Sequence, residues 1–114
     1  MSRDITDYLN DILENIAIAQ EFINGLTFEQ FDQDPRTTYA VTRAVEIIGE
    51  AAKSIPTSIR NSYPQVPWRS ITGMRDKMIH QYFGINHRVL WSTVQDDLPA
   101  LEPIIRAILI DLTQ

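Results

Sequence analysis

The sequence contains no cysteine in its 114 residues. That excludes a disulfide framework and a thiolate zinc site. The two histidines, His80 and His87, do not form a pair at metal-ligand spacing, so no metal site is expected. No apolar run approaches the roughly 18 residues that a membrane-spanning helix needs. The opening MSRDITDYLN carries acids where a secretory signal is apolar, so export is not expected and a cytoplasmic protein is the economical expectation. Convincing strand patterns, internal repeats and low-complexity tails are also missing. So is an excess of positive charge: the net charge is −5, which argues against a broad nucleic-acid-coating surface.

What is present fits one soluble globular domain over residues 1–114, with 44% hydrophobic and 22% charged residues. The charge is unevenly spread. Between Val66 and Arg88, Arg69, Arg75, Lys77 and Arg88 are met by a single acid, Asp76, so this segment is +3 and the rest of the chain −8. Two readings stand at this point: a local anion site, or ordinary surface charge.

Apolar periodicity predicts helices. From Asp4 to Asn24, the residues Ile5, Tyr8, Leu9, Ile12, Leu13, Ile16, Ala19 and Ile23 form one stripe, with Asp4 and Asp7 at the favourable end of the helix dipole and Gly25 as a stop. Thr27 is placed to cap a short turn holding Phe28 and Phe31, and Asp34-Pro35 breaks the chain after it. A second long helix is expected over 36–55, carrying Tyr39, Ala40, Arg43, Ala44, Ile47, Ile48, Ala51, Ala52 and Ile55 at helical spacing. Arg43 interrupts that set. It either snorkels to solvent or pairs with Glu46 or Glu50, or it stands near an active site. A short helix capped by Thr57 follows Pro56. A helix is then expected from Pro67 to about Tyr82, with Gly73 marking close packing or a kink. Asn86 caps the last segment, which runs to Thr113 with Pro99 and Pro103 kinking or dividing it. The expected architecture is an all-α bundle of four main helices with short extra turns.

The stretch from Trp68 to Gly84 concentrates the chemistry. A histidine near neutral pKa can move the proton of a ribose 2′-hydroxyl attacking its neighbouring phosphate, and a guanidinium can hold the phosphate oxygens as charge grows on them. Arg75 and His80 supply these two groups, Lys77 adds positive field, and Asp76 is placed to accept an imidazole proton. Against this, an arginine and a histidine in one helix also occur as plain surface residues. On a straight helix Arg75 and His80 diverge by about 140°, so one uninterrupted helix cannot aim both at one substrate. A bend, or a two-fold dimer bringing two copies to one cleft, resolves that. His87 reads as a helix-start residue. Tyr82 either packs its ring and exposes its hydroxyl, or offers that hydroxyl beside Arg75 as a modification acceptor, where a nucleotidyl group would block an anionic substrate.

Arg75 to Tyr82 resembles the R-x4-6-H-x-Y signature of HEPN-domain toxins. RAVEIIGEAAKSIP at 43–56, YPQVPWRSITGMRDKMIHQYFGIN at 63–86 and VLWSTVQDDLPAL at 89–101 resemble the HepT-like branch of that group, and the likeness covers most of the chain. The resemblance implies a dimerising helical bundle whose motifs meet in a cleft, and a metal-independent endoribonuclease. Carried over by position, Arg75 and His80 are the catalytic pair, Asp76 and Lys77 support them, and Tyr82 is the final motif tyrosine. It further implies a type VII toxin paired with an MntA-like nucleotidyltransferase antitoxin, which uses ATP to transfer AMP to Tyr82. The chain itself would need no cofactor. The competing expectation is a non-catalytic helical interaction or nucleotide-binding module that partners a nucleotidyltransferase.

Overall fold

The computed structural model describes residues 3–80 and 84–114, with the side chains of Ile79 and His80 outside that description. Helix α1 (Ile5–Ile23) starts at a capping box: the Asp7 N–H donates to Asp4 Oδ1 and the Asp4 N–H to Asp7 Oδ2, both at 3.1 Å. Its stripe of Leu9, Ile12, Ile16, Ala19 and Ile23 is buried. Gly25 closes it with φ of 80°, a left-handed conformation that suits glycine. Helix α2 (Phe28–Asp32) repeats the device, with Thr27 and Gln30 as reciprocal caps. Its Phe31 is fully buried and sits 5.2 Å from the Trp91 ring.

Helix α3 (Pro35–Ser54) is capped by Asp34 and begins with proline at a position whose N–H would have no helical partner. Its inward face differs from the expected one. Thr38, Val41, Thr42 and Val45 are buried, whereas Tyr39 is 76% exposed. Neighbours on several sides explain this: α3 packs against α1, against α2, and against the segments that follow it. Ala44, Ala51, Ala52 and Gly49 keep that helix slim enough to be surrounded. Short helix α4 (Thr57–Ser62) has Pro56 rather than Thr57 as its N-cap and no side-chain cap bond. The Trp68 indole then ties the following connection down, its Nε1 lying 3.1 Å from both the Arg60 and Tyr63 carbonyl oxygens.

The expected helix from Pro67 to Tyr82 is not continuous. It consists of α5 (Trp68–Thr72), a turn at Gly73, α6 (Met74–Met78) and a two-residue strand β1 (Ile79–His80) paired antiparallel with β2 (Gly84–Ile85). The ladder sets Ile79 against Ile85 and His80 against Gly84, and the Asn86 N–H reaches the Met78 carbonyl at 2.6 Å. The last helical rod comprises α7 (His87–Ser92), a π-type segment over Thr93–Asp97, and α8 (Leu98–Leu112). Asn86 Oδ1 caps α7 by accepting from the Val89 N–H at 3.1 Å. The wide turn comes just before Pro99, which has no N–H to donate. The Leu98 N–H reaches back five residues to Thr93 instead of four. Pro99 thus marks a divided helix as expected, while Pro103 is accommodated inside α8. Among the described residues the fold is all-α apart from this small hairpin, and no helix is long and apolar enough to cross a membrane.

Candidate functional site

The motif segment is shaped by two methionines. Met78 is fully buried and Met74 nearly so; four residues apart, they anchor one face of α6 in the core. The residues between them, Arg75, Asp76 and Lys77, are thereby turned outward, and all three are exposed. Gly73 lies at the turn between α5 and α6. A Cβ there would come within 3.1 Å of the Arg69 carbonyl oxygen, so the turn separating α5 from α6 accommodates glycine and crowds any larger residue. Of the two expectations for Gly73, the kink is the one observed.

The helix stops at Met78, three residues after Arg75, and the chain reaches His80 through the two-residue strand Ile79–His80. The divergence of about 140° calculated for a straight helix therefore does not describe this chain. The backbone of His80 is held against Gly84, whose φ of 77° again lies in the left-handed region. The His80 imidazole and the whole of Tyr82 lie outside the described residues.

Arg75 does not stand alone. Its Nε is 3.6 Å from Glu46 Oε2 on α3, and its Nη1 is 3.8 Å from Asp76 Oδ1. Glu46 in turn lies 3.9 Å from Arg43, which is 3.4 Å from Glu50. Arg43 thus pairs with the two acids expected for it, but one of those acids also reaches the motif arginine. Sequence reading paired Glu46 with Arg43 and missed its link to Arg75. Its place between Ala44-Val45 and Ile47-Ile48, a charge within an apolar run, was the available signal.

The other basic residues are distributed over separate surroundings. Lys77 and Arg69 line a cleft of about 450 Å³ between α5–α6 and the last helical rod, together with Asp96 and Asp97. The Arg88 guanidinium lies 3.9 Å from the centre of the Phe28 ring. The basic island is therefore faced by Glu46, Asp96 and Asp97 from other elements, and Arg75 and Lys77 are its exposed members on the segment that leads to His80. His87 starts α7 as expected, with Nδ1 2.7 Å from Asp32 Oδ1. It braces α2 against α7 and takes no place beside Arg75.

A family model described as Ribonuclease HepT-like matches residues 12–108. The chain belongs to the HepT-like ribonuclease family. This membership makes it a ribonuclease by class and agrees with the all-α fold. A protein of Thermococcus cleftensis named "Probable ribonuclease HepT" is 50% identical over 102 residues, covering 90% of this chain and 93% of that protein. A candidate RNase of Caldanaerobacter subterraneus is 45% identical over 102 residues, covering 90% and 91% of the two chains. Another from Methanocaldococcus jannaschii is 44% identical over 110 residues, covering 93% and 91%. No solved structure matches the chain. The HepT-like match spans the whole of α3, the motif segment and the hairpin, so both sides of the Glu46–Arg75 contact fall within it.

Proposed function

We propose that this chain is the toxin of a type VII toxin–antitoxin pair, a metal-independent endoribonuclease that works as a homodimer. The observation that carries the reading is the HepT-like match over residues 12–108, with Arg75-x4-His80-x-Tyr82 inside it. In this reading Arg75, half exposed on α6, holds the scissile phosphate and offsets the charge that grows on its oxygens. His80 moves the proton. The 2′-oxygen bonds to phosphorus as its proton passes to a base, the bond to the 5′-oxygen breaks, and that oxygen leaves with a proton from an acid. The products are a 2′,3′-cyclic phosphate, or its hydrolysis product, and a 5′-hydroxyl. A two-fold dimer supplies two imidazoles to one cleft, one for each proton transfer. Asp76 and Lys77 support the pair through local charge.

Tyr82 is the proposed off-switch. An MntA-like nucleotidyltransferase antitoxin transfers AMP from ATP to its hydroxyl, releasing pyrophosphate and placing a phosphodiester charge where the RNA phosphate would bind. The toxin itself needs no cofactor.

Expression of the wild type, Arg75→Ala and His80→Ala, followed by growth and RNA integrity, tests the catalytic reading. Each variant is expected to fold and to lose cleavage by about a hundredfold or more. If both fold and cut RNA like the wild type, the non-catalytic interaction module takes the place of the enzyme. Incubation with the antitoxin and ATP should add about 329 Da per AMP group to the wild type and nothing to Tyr82→Phe. Equal labelling of Tyr82→Phe would move the acceptor elsewhere. Sedimentation of a fully active protein as a strict monomer would refute the dimer.

A further inference from the structure

We propose that Glu46 is a positioning residue for Arg75, holding from the long helix α3 a guanidinium that short helix α6 does not hold by itself. The inference rests on the ribonuclease reading above and concerns how its arginine is presented to the substrate.

Helix α6 has five residues, bounded by the Gly73 turn and by β1. A helix this short owes its order to packing, and its packing runs through the buried Met74 and Met78, while Arg75 is exposed. The Arg75 side chain is 51% exposed, so its long stem has little to lean on. Glu46 is differently placed. Its side chain is only 25% exposed, it belongs to a 20-residue helix, and its neighbours Val45 and Ile48 are fully buried. Of the two charges, the carboxylate is the better fixed.

The manner of contact favours positioning over blockade. Glu46 approaches Nε at 3.6 Å, longer than the roughly 2.7–2.9 Å of a charge-assisted hydrogen bond. It therefore orients Arg75 without gripping it as a two-pronged pair would. Arg43 shares the Glu46 carboxylate and is itself drawn toward Glu50, so Glu50, Arg43, Glu46, Arg75 and Asp76 form a chain of alternating sign. An arginine held in such a chain meets an incoming phosphate already aimed, which lowers the reorganisation needed at the transition state.

Glu46→Gln keeps the shape and removes the charge. On a labelled RNA carrying a site that the wild type cuts, kcat should fall about tenfold to a hundredfold while KM stays within about twofold, with an unchanged melting curve. Glu46→Asp, with the charge on a stem one methylene shorter, should recover part of the loss. Adding Glu46→Gln to Arg75→Ala should cost nothing further, because the residue acts only through that arginine. Wild-type kcat in Glu46→Gln, a lowered KM with kcat retained, or losses that add in the double variant would each overturn the proposal. The lowered KM would make Glu46 a competitor of the phosphate. If Arg75→Ala is inactive and Glu46→Gln unimpaired, only the positioning role falls. If Arg75→Ala cleaves normally, the catalytic reading and this inference fall together.

Discussion

Gly84 and Gly25 offer a matched pair of perturbations. Both have positive φ, 77° and 80°, and at neither would an added Cβ meet, among the described residues, any atom beyond its chain neighbours within 4 Å. Replacement by alanine therefore tests backbone conformation free of steric overlap. Holding an L-residue in the left-handed region costs about 1–2 kcal/mol. Alanine also restricts the unfolded chain, which returns about 0.4–1 kcal/mol. The net loss should be about 1 kcal/mol at either site, or about 4 °C in melting temperature for a chain of this size. The two variants part company in function. Gly84 pairs with His80 in the β1–β2 ladder, whereas Gly25 ends α1 far along the chain from the motif. Gly84→Ala should therefore reduce cleavage at temperatures well below melting, and Gly25→Ala should not. Asparagine tolerates positive φ better than alanine, so Gly84→Asn should restore part of both losses. Thermal melts by circular dichroism at one protein concentration, alongside RNA cleavage, make the comparison. Equal stability of Gly84→Ala and wild type would refute the conformational argument. Equal loss of cleavage in both alanine variants would refute the link between the hairpin and His80.

Other perturbations follow from single contacts. Trp68→Phe keeps the ring and removes the indole N–H lying between the Arg60 and Tyr63 carbonyls; it should cost about 1 kcal/mol in urea unfolding, and no loss would deny that bond a role in the α4–α5 connection. The Asp111 carboxylate accepts a hydrogen bond from the Tyr63 hydroxyl and raises that phenol above its ordinary pKa of 10.0, with desolvation and the Asp111 charge adding to the effect. Its contribution to stability is present below pH 10 and is lost as pH rises through the higher folded value; ultraviolet titration should show one late tyrosine that Tyr63→Phe removes. At the acid end, the side chain of Thr6 holds Asp4, and that of Thr37 holds Asp34, below the usual 3.8, with backbone N–H groups assisting. Their contribution is present above pH 3.8 and lost as pH falls through the depressed values, so replacing both by asparagine should flatten the acid side of the stability profile.

Much of the frame was legible because it is written locally. The stripe of α1, the caps at Thr27 and Asn86, the stop at Gly25 and the disruption near Pro99 each depend on residues within a turn or two. The motif segment misled periodicity for a specific reason. Ile71, Met74 and Met78 are spaced by three and four and are all buried, so the pattern continues through the Gly73 turn as if the helix did. The end of α6 depends on Gly84 and Ile85, which pair with residues four and six positions earlier. Strand pairing of that kind leaves no mark in the helical pattern itself. Tyr39 was misplaced because a helix surrounded on several sides has no single stripe. Arg75 and Lys77 were found from residue type and spacing, and both are exposed. Glu46 was read only against its own helix, since its second partner lies 29 positions away.

One face of α3 links the packing of the motif to its electrostatics. Gly49 follows Glu46 by three residues, so the two lie on the same side of the helix. A Cβ at Gly49 would stand 3.5 Å from the Ile71 carbonyl oxygen and 3.8 Å from that of Thr72. The close approach that lets α5 rest on α3 is therefore made one turn from the carboxylate that reaches Arg75. Those distances are ordinary van der Waals contact, so Gly49→Ala fits, and it gains up to about 1 kcal/mol of helix propensity. Gly49→Val adds two methyl groups with a stiff χ1 against a backbone that cannot yield without moving α5. Moving α5 moves α6 through the Gly73 turn, and an ion pair already at 3.6 Å has little reach to spare. Gly49→Ala should thus keep full cleavage at equal or higher stability, while Gly49→Val should lose cleavage by more than its melting temperature accounts for. If valine is as active as alanine there, the distance between α3 and α5 does not set the position of Arg75.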